Sequence, residues 1–265
     1  MVWVPEGVNV DQPSAARIYD YLLGGAHNFA VDRQLAEQFE KALPGSRDIA
    51  RVNRAFLRRA VLFMMQNGID QFLDIGSGIP TVGNVHEIVQ EANPEGRVVY
   101  VDNEAVAVAH SQLMLEDNEH AAAIQADMLE PESILSAPAT KRLLDFDRPL
   151  GLLMVGVLHF VPHSVDVQGL LATYRERLAP GSYLAISHFT WDVRPQEMAE
   201  MVEVMKKSTD PIHPRTGDEI RELFTGFDLV EPGVVSPVLW RAQSPGDGGM
   251  DPDQVSLYAG VGRKP

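Results

Sequence analysis

The sequence contains no cysteine, which excludes disulfides, thiolate nucleophiles and cysteine-ligated metal sites. Basic residues are also few: 22 Lys and Arg face 37 Asp and Glu, so the net charge is −15. This balance argues against nucleic acids and anionic membrane surfaces as partners. The sequence lacks an apolar run long enough to span a membrane, and it does not begin like a signal peptide. We therefore expect a cytoplasmic protein with neither a nucleic-acid nor a membrane partner.

What is present is the pattern of an α/β protein. Hydrophobic residues make up 45% of the chain and charged residues 22%, which is ordinary for a globular fold. Apolar spacing predicts three helices near the start: residues 14–24, a second that runs to 43 after a cap at Asp32, and a third that runs to about 67 after a cap at Ser46. These helices define a predicted N-terminal cap over residues 1–68.

From residue 71 onward, predicted strands and helices alternate, which is typical of a mostly parallel sheet covered on both faces. We expect residues 69–265 to form one compact core, with a Gly- and Pro-rich loop over residues 243–254. The predicted strands are residues 72–74, 97–101, 121–126, 150–157, 182–188, 227–240 with a Pro-Gly interruption, and 255–261. One helix of the core is predicted to start directly after the glycine turn that follows the first strand. The others are predicted over residues 103–116, 164–178 and 216–224.

Three successive predicted strands end in an aspartate: Asp74, Asp102 and Asp127. The carboxyl ends of parallel strands meet at one edge of a sheet, where such folds bind ligands. Asp102 lies 24 residues after Gly78, close to the spacing at which an acid accepts hydrogen bonds from ribose hydroxyls. Asp127 can accept from an amine such as that of adenine. Each aspartate alone has a structural alternative as a helix cap.

The turn after the first strand contains Gly76, Ser77 and Gly78, and its glycines allow a tight bend and a close approach to a ligand. Pro80 fits the first position of the helix that we expect next. A dinucleotide fingerprint would require glycine where Thr81 stands, and a carboxylate just before the turn would repel a pyrophosphate. The ligand expected here carries adenosine at one end and a cationic or amino-acid group at the other. S-adenosylmethionine fits this description.

These motifs resemble those of the class I S-adenosylmethionine-dependent methyltransferases. Asp-Ile-Gly-Ser-Gly (74–78), Val-Tyr-Val-Asp-Asn (99–103) and Ala-Asp-Met (126–128) are similar to their first three motifs. Leu-Met-Val-Gly-Val-Leu-His-Phe (153–160) and Leu-Ala-Pro-Gly-Ser-Tyr-Leu-Ala-Ile-Ser-His (178–188) are similar to the segments around their fourth and fifth strands. In the first motif, Pro80 replaces the third glycine.

A narrower resemblance extends over about residues 10–264. Ala-Arg-Ile-Tyr-Asp-Tyr-Leu-Leu-Gly-Gly-Ala-His-Asn-Phe-Ala-Val-Asp-Arg (16–33), with the Pro80 variant of the first motif, resembles a bacterial family of S-adenosyl methyltransferases of uncharacterised substrate. The resemblance implies the Rossmann-like three-layer α/β/α sandwich of the class I methyltransferases, with seven mostly parallel strands, an antiparallel last strand and a helical N-terminal cap. It also implies S-adenosylmethionine as methyl donor and S-adenosylhomocysteine as product.

We predict cofactor contacts at the strand ends, in a lid formed by the Gly-Gly segment of the cap, and at one arginine. Arginines 47, 51, 54 and 58 share one helix face, which a solvated surface explains for most of them. Arg54 or Arg51 is the candidate to hold the cofactor carboxylate. The predicted cofactor-binding residues are Asp74, Gly76, Ser77, Gly78, Asp102, Asn103, Asp127, Met128, Gly156, Tyr21, Gly24, Gly25 and Arg54.

A general base for an O- or N-methyl acceptor is expected among His159, His163 and His188, and His159 is the residue we select. A structural role is the common alternative for a histidine beside an apolar strand. His159 and His163 have helical metal-ligand spacing, but Pro162 lies between them and we expect no metal. The expected function is methyl transfer to a small-molecule acceptor by a monomer or homodimer. The alternatives are a non-catalytic cofactor-binding module acting through a partner protein and a nucleotide-dependent oxidoreductase.

Overall fold

The computed structural model describes residues 8–81, 83–242 and 249–265. The strands in these residues are β1 (Gln71–Ile75), β2 (Arg97–Asp102), β3 (Ala121–Gln125), β4 (Gly151–Val155), β5 (Tyr183–Phe189), β6 (Asp228–Leu229) and β7 (Leu257–Arg263). They form one sheet in the order β3-β2-β1-β4-β5-β7-β6. Strands β1 to β5 are parallel, whereas β7 is antiparallel to β5 and β6. This confirms the mostly parallel seven-stranded sheet with an antiparallel last strand.

Helices cover both faces of the sheet. They are α1 (Ala15–Leu22), α2 (Ala30–Ala42), α3 (Ser46–Gln66), α4 (Val85–Ala92), α5 (Ala105–Met114), α6 (Pro131–Leu135), α7 (Pro138–Leu143), α8 (Val167–Arg177), α9 (Pro195–Met205) and α10 (Gly217–Glu222). Short 3₁₀ turns occur at Leu158–Phe160 and Pro252–Gln254. Because β1 and β4 lie inside the sheet with helices on both sides, nearly all of their residues are buried.

Alternate residues of each central strand enter different layers. Leu73 and Leu152 pack with α6, α7 and α8 on one face, while Phe72 and Leu153 pack with α3 and α4 on the other. The result is the three-layer sandwich expected from the sequence. The division into residues 1–68 and 69–265 stays a prediction. The second half of α3, through residues such as Phe56, packs directly against the sheet.

A third apolar cluster joins the N-terminal helices to α9 and to the start of β7. Leu35 and Phe39 of α2 pack with Met198 and Met201 of α9, beside Leu257 at the start of β7. Helix α9 was not predicted from the sequence, and neither were α6 and α7. The cluster holds the N-terminal helices over the carboxyl ends of the strands, where a ligand of this fold binds.

Three predicted helix starts were wrong. The N-cap of α2 is Phe29, and Asp32 lies three residues later, where its carboxylate accepts a 2.7 Å hydrogen bond from the Phe29 N–H. The N-cap of α3 is Gly45, whose φ is +89°, so Ser46 is the first helical residue. Helix α4 begins at Val85 instead of Pro80. The Glu87 carboxylate accepts the Asn84 N–H at 2.8 Å, and this contact fixes the later start.

The predicted strand over residues 227–240 was also largely wrong. Only Asp228–Leu229 pairs as a strand, and Val235 makes a single bridge to Ala259. Pro237 lacks the N–H that a ladder needs, and the chain turns there. Trp240 is fully buried, with its ring edge-on to Phe56. Of the predicted loop over residues 243–254, residues 243–248 lie outside the described part of the chain.

Within the described ranges, none of the helices combines the length and the apolar character needed to cross a bilayer. The cytoplasmic location and the monomeric or homodimeric state stay predictions.

Candidate functional site

A cavity of about 1450 Å³, measured out to its open mouth, lies over the carboxyl ends of the strands and beneath the N-terminal helices. We divide its lining into two ends. The strand end comprises Asp74, Gly76, Ser77, Gly78, Asp102, Asn103, Glu104, Asp127, Met128 and Gly156, together with Arg54 and Asp210. The cap end comprises Ile18, Leu22, Phe39, Leu43, Ser46, Ile49, Ala50, His159, Phe160, Phe189, Met205, Ile212 and Leu257.

The glycine turn after β1 forms the floor of the strand end. Gly76 and Gly78 have φ values of +72° and +68°, in the left-handed region that favours glycine. A Cβ on Gly76 would collide with the Val157 side chain, whereas one on Gly78 would meet no atom within 4 Å. Gly76 is therefore required by packing. Gly78 leaves open space against the cavity.

Asp102, at the end of β2, holds this turn in place. Its two carboxylate oxygens accept hydrogen bonds from the Gly78 N–H at 2.7 Å and the Glu104 N–H at 2.9 Å. Burial raises the pKa of Asp102 to about 6, against the opposing effect of these two N–H groups. A carboxylate has about four lone-pair sites, so Asp102 retains acceptor capacity for a ligand hydroxyl.

Asp74 is the least satisfied charged group of the cavity. Its side chain is buried, with the residue 5% exposed, and no described residue donates a hydrogen bond to it. Burial raises its pKa to about 7; the Arg54 charge acts in the opposite direction and the Asp102 charge adds to the rise. Arg54 donates to the Gly83 carbonyl at 3.0 Å. The strand end therefore presents a carboxylate without a donor beside a guanidinium.

Asp127 and Met128 also line the strand end, although Asp127 is exposed and lies two residues beyond the end of β3. Its carboxylate accepts from the Leu129 N–H at 2.8 Å. Gly156, with φ of +76°, turns the chain out of β4, so the predicted strand over residues 150–157 ends at Val155.

Three predicted cofactor-binding residues do not line the cavity. The Tyr21 ring lies under the Arg47 guanidinium, with 4.7 Å between the guanidinium carbon and the ring centre. Gly24 and Gly25 form the turn after α1, and a Cβ on Gly25 would collide with the Asp20 carboxylate. That carboxylate accepts the His27 N–H at 2.9 Å. The glycines therefore shape a turn outside the cavity lining.

The arginines of α3 lie in two different surroundings. Arg47 pairs with Glu40 at 2.9 Å and Arg51 with Asp48 at 2.8 Å, outside the cavity. Arg54 lines the cavity, and its charge affects Asp74 and Tyr19. Of the two arginines proposed to hold a carboxylate, only Arg54 is placed to do so.

His159 lies in the cap end and belongs to a buried group with His188 and Arg215. The Arg215 Nη1 donates to His188 Nε2 at 2.9 Å, and His188 Nδ1 donates to the Phe189 carbonyl at 2.7 Å. Burial, His188 and Arg215 together hold the pKa of His159 well below its usual 6.5, and burial lowers that of His188 to about 3. Both rings are therefore neutral near pH 7. His163 is exposed and does not line the cavity.

Sequence reasoning missed the polar residues of α3 that face the cavity. Asn53 donates to the Tyr19 hydroxyl at 3.3 Å and accepts from Ser187 at 2.6 Å, so it joins α1 to β5. Ser46 and Asn53 lie seven residues apart with Ile49 and Ala50 between them, on one edge of the helix. The sequence pattern that could have identified Ser46 and Asn53 is a pair of polar residues at helical spacing within an apolar stripe.

Comparison with known proteins agrees with this geometry. A family described as S-adenosyl methyltransferase matches residues 1–265. The chain belongs to the S-adenosyl methyltransferase family. A crystal structure of a candidate methyltransferase from Thermobifida fusca is 41% identical, with a TM-score of 0.93, covering 100% of this chain and 99% of that one. A DUF574 family protein from Streptomyces avermitilis is 38% identical, also with a TM-score of 0.93, covering 97% of this chain and 100% of that one.

More distant methyltransferases share the fold. The CurJ carbon methyltransferase is 18% identical, with a TM-score of 0.53, over 81% of this chain and 55% of that one. The comparison with curated proteins gives no match. The family confirms the methyltransferase assignment and implies S-adenosylmethionine as cofactor, and it leaves the acceptor open. Among the residues that the structure describes, no group of His, Cys, Asp and Glu could hold a metal ion.

Proposed function

We propose that this methyltransferase binds S-adenosylmethionine at the strand end of the cavity and transfers its methyl group to a small-molecule acceptor. The observation that carries the proposal is Asp74: a buried carboxylate, facing a cavity, that receives no hydrogen bond from any described residue. Burying such a group without a donor is unfavourable, so its position favours a cationic or amine ligand. A phosphate-bearing nucleotide would be repelled there.

The surrounding residues fit the rest of the cofactor. Arg54 beside Asp74 offers opposite charges to the two ends of a zwitterionic amino acid. Asp102 has free acceptor sites for ribose hydroxyls, and the open space over Gly78 admits the ligand close to the backbone. Asp127 can accept from an exocyclic amine, and Met128 offers an apolar contact to a ring.

When bound, S-adenosylmethionine supplies an electrophilic methyl group on a sulfonium. The chain's own contribution is to align the acceptor and exclude water. His159 lies where an acceptor would enter, and burial keeps its ring neutral. Its proposed role is therefore to orient the acceptor by a hydrogen bond. The earlier expectation of a general base at His159 is not part of this proposal, because an imidazole with a strongly lowered pKa is a weak base.

The test is calorimetric titration with S-adenosylhomocysteine. We expect micromolar binding to the wild type and at least a tenfold weaker affinity in Asp102→Ala. Asp228→Ala, a matched change at an exposed strand residue outside the cavity, should leave the affinity unchanged. Absence of binding to the wild type would contradict the proposal, as would equal binding to Asp102→Ala.

A further inference from the structure

The two ends of the cavity differ in charge. Among the described lining residues, Asp74, Asp102, Glu104 and Asp127 lie at or near the ends of strands. The charges of Arg54 and Asp210 act on Asp74 and Asp102, so we assign these two residues to the strand end as well. The Asp210 carboxylate also accepts the Ala15 N–H at 2.9 Å.

The cap end offers aliphatic, aromatic and neutral polar side chains. The buried Arg215 near His159 donates to His188 at 2.9 Å and does not line the cavity. A charged ligand group placed at the cap end would therefore lose its water without contacting a counter-ion, which is unfavourable.

Two polar atoms of the cap end lack hydrogen-bond partners. Ser46 is 2% exposed and His159 is 4% exposed, yet the Ser46 Oγ and the His159 Nδ1 receive no partner from the described residues. The other polar side chains nearby, Tyr19 and Asn53, are already paired with protein groups. Buried polar atoms are normally satisfied. Of the described buried polar atoms without a partner, only these two belong to residues that line the cavity, so a ligand bound there could supply their hydrogen bonds.

The cap end also contains several aromatic rings. The His159 ring lies 4.5 Å from the Phe160 ring centre and 4.7 Å from that of Phe189, and Phe39 lies 6.4 Å from Phe189. These separations fall in the range in which aromatic rings attract one another. A flat ring entering from the strand end therefore finds edges and faces to pack against.

We propose that the cap end binds the methyl acceptor, and that the acceptor is an uncharged aromatic molecule carrying a hydroxyl or N–H group that hydrogen-bonds to His159 or Ser46. This inference rests on the proposed function, because the strand end must hold the methyl donor for the cap end to hold the acceptor. It goes further in excluding charged acceptors such as amino acids, carboxylic acids and phosphate esters.

The test uses matched pairs of probes with protein saturated by S-adenosylhomocysteine. The pairs are 4-methylphenol against 4-hydroxyphenylacetate, and 3-methylindole against indole-3-acetate, so each pair differs by one carboxylate. Binding is followed by ligand-observed NMR. We expect at least one neutral probe to bind tenfold or more tightly than its charged partner. Equal or tighter binding of both charged probes, or no binding of either neutral probe, would overturn the inference while leaving S-adenosylhomocysteine binding intact.

A second measurement locates the probe. Ala50→Phe fills the cap end from α3, and it should weaken neutral-probe binding at least tenfold while the S-adenosylhomocysteine affinity changes less than twofold. Ser46→Leu serves the same purpose if Ala50→Phe does not fold. Neutral-probe binding that is unchanged in the folded variant would place the probe elsewhere and refute the inference. Loss of S-adenosylhomocysteine binding by the wild type would instead contradict the proposed function.

Discussion

The strand end and the cap end of the cavity are built in different ways. Most of the strand end comes from residues at or just after the carboxyl ends of strands, such as Asp74, Asp102 and Gly156. The order of the parallel sheet brings them together. The cap end combines α1, α2 and α3 with Phe189, Met205 and Leu257. The strand end is charged, and its residues belong to short sequence motifs. The cap end is mostly apolar, and it forms where segments distant in the chain pack together.

The comparison teaches that charged groups and apolar space are provided by separate parts of this cavity. At the strand end, two buried carboxylates with raised pKa values are kept although they oppose folding at neutral pH. At the cap end, apolar side chains stabilise the fold by packing as they do in a protein core. The groups there that oppose folding, among the described residues, are the unpaired Ser46 Oγ and His159 Nδ1. The predictions below test this difference.

The largest expected effect is that of Gly76→Ala. The added methyl group meets the Val157 side chain and forces an L-residue into a φ of +72°. We expect a loss of roughly 3 kcal/mol in the free energy of unfolding, measured in urea. Gly24→Ala is the matched control, since its φ is +86° with no neighbour within 4 Å, and it should lose only about 1 kcal/mol. Equal losses would mean that packing at Gly76 is unimportant.

Asp74→Asn should increase the stability of the protein and weaken its binding of S-adenosylhomocysteine. The folded state raises the pKa of Asp74 from 3.8 to about 7, and one pKa unit is worth about 1.4 kcal/mol, so the charged form opposes folding by roughly 4 kcal/mol at pH 8. We expect Asp74→Asn to raise the melting temperature of the ligand-free protein at pH 8 and to weaken S-adenosylhomocysteine binding at least tenfold. A lower melting temperature together with unchanged binding would refute this account.

The pH dependence of Asp74 gives a second readout. Because its folded pKa is raised, the stability it contributes is present at low pH and is lost as pH rises from about 4 through 7. The advantage of Asp74→Asn in melting temperature should therefore shrink between pH 8 and pH 5. Wild-type affinity for S-adenosylhomocysteine should also fall from pH 8 to pH 5, because a protonated Asp74 has lost the negative charge that attracts an ammonium. A wild-type affinity that is flat between pH 8 and pH 5.5 would contradict the role of Asp74.

The smallest expected effect is at the cap end. Ser46→Ala removes a buried hydroxyl without a partner, so the free energy of unfolding should stay within about 0.5 kcal/mol or increase. Ser187→Ala is the matched control: its hydroxyl is equally buried but donates to Asn53 at 2.6 Å, and its loss should cost roughly 1–2 kcal/mol. Equal destabilisation in urea would show that the Ser46 hydroxyl is paired in solution.

Sequence reasoning predicted the sheet and most of the strand end, because a strand followed by glycine or aspartate is a local signal. It placed Asp74, Gly78 and Asp102 at one edge, and the structure brings them together. It also predicted cofactor contacts at Gly24 and Gly25, which lie outside the cavity lining. A glycine turn that lines a cavity and one that lies outside it have the same local sequence pattern. The Asp20 carboxylate that requires Gly25 is a tertiary neighbour.

The sequence by itself therefore determined most of the strands, the acids near their ends and, through its motifs, the resemblance to the family. The strands follow from propensity and periodicity, which act over a few residues, and the resemblance rests on short motifs. Only the tertiary structure decided that Arg54 lines the cavity while Arg47 and Arg51 do not, and that His159 is buried against His188 near Arg215. Burial and charge proximity arise between segments far apart in the chain, so no local pattern records them.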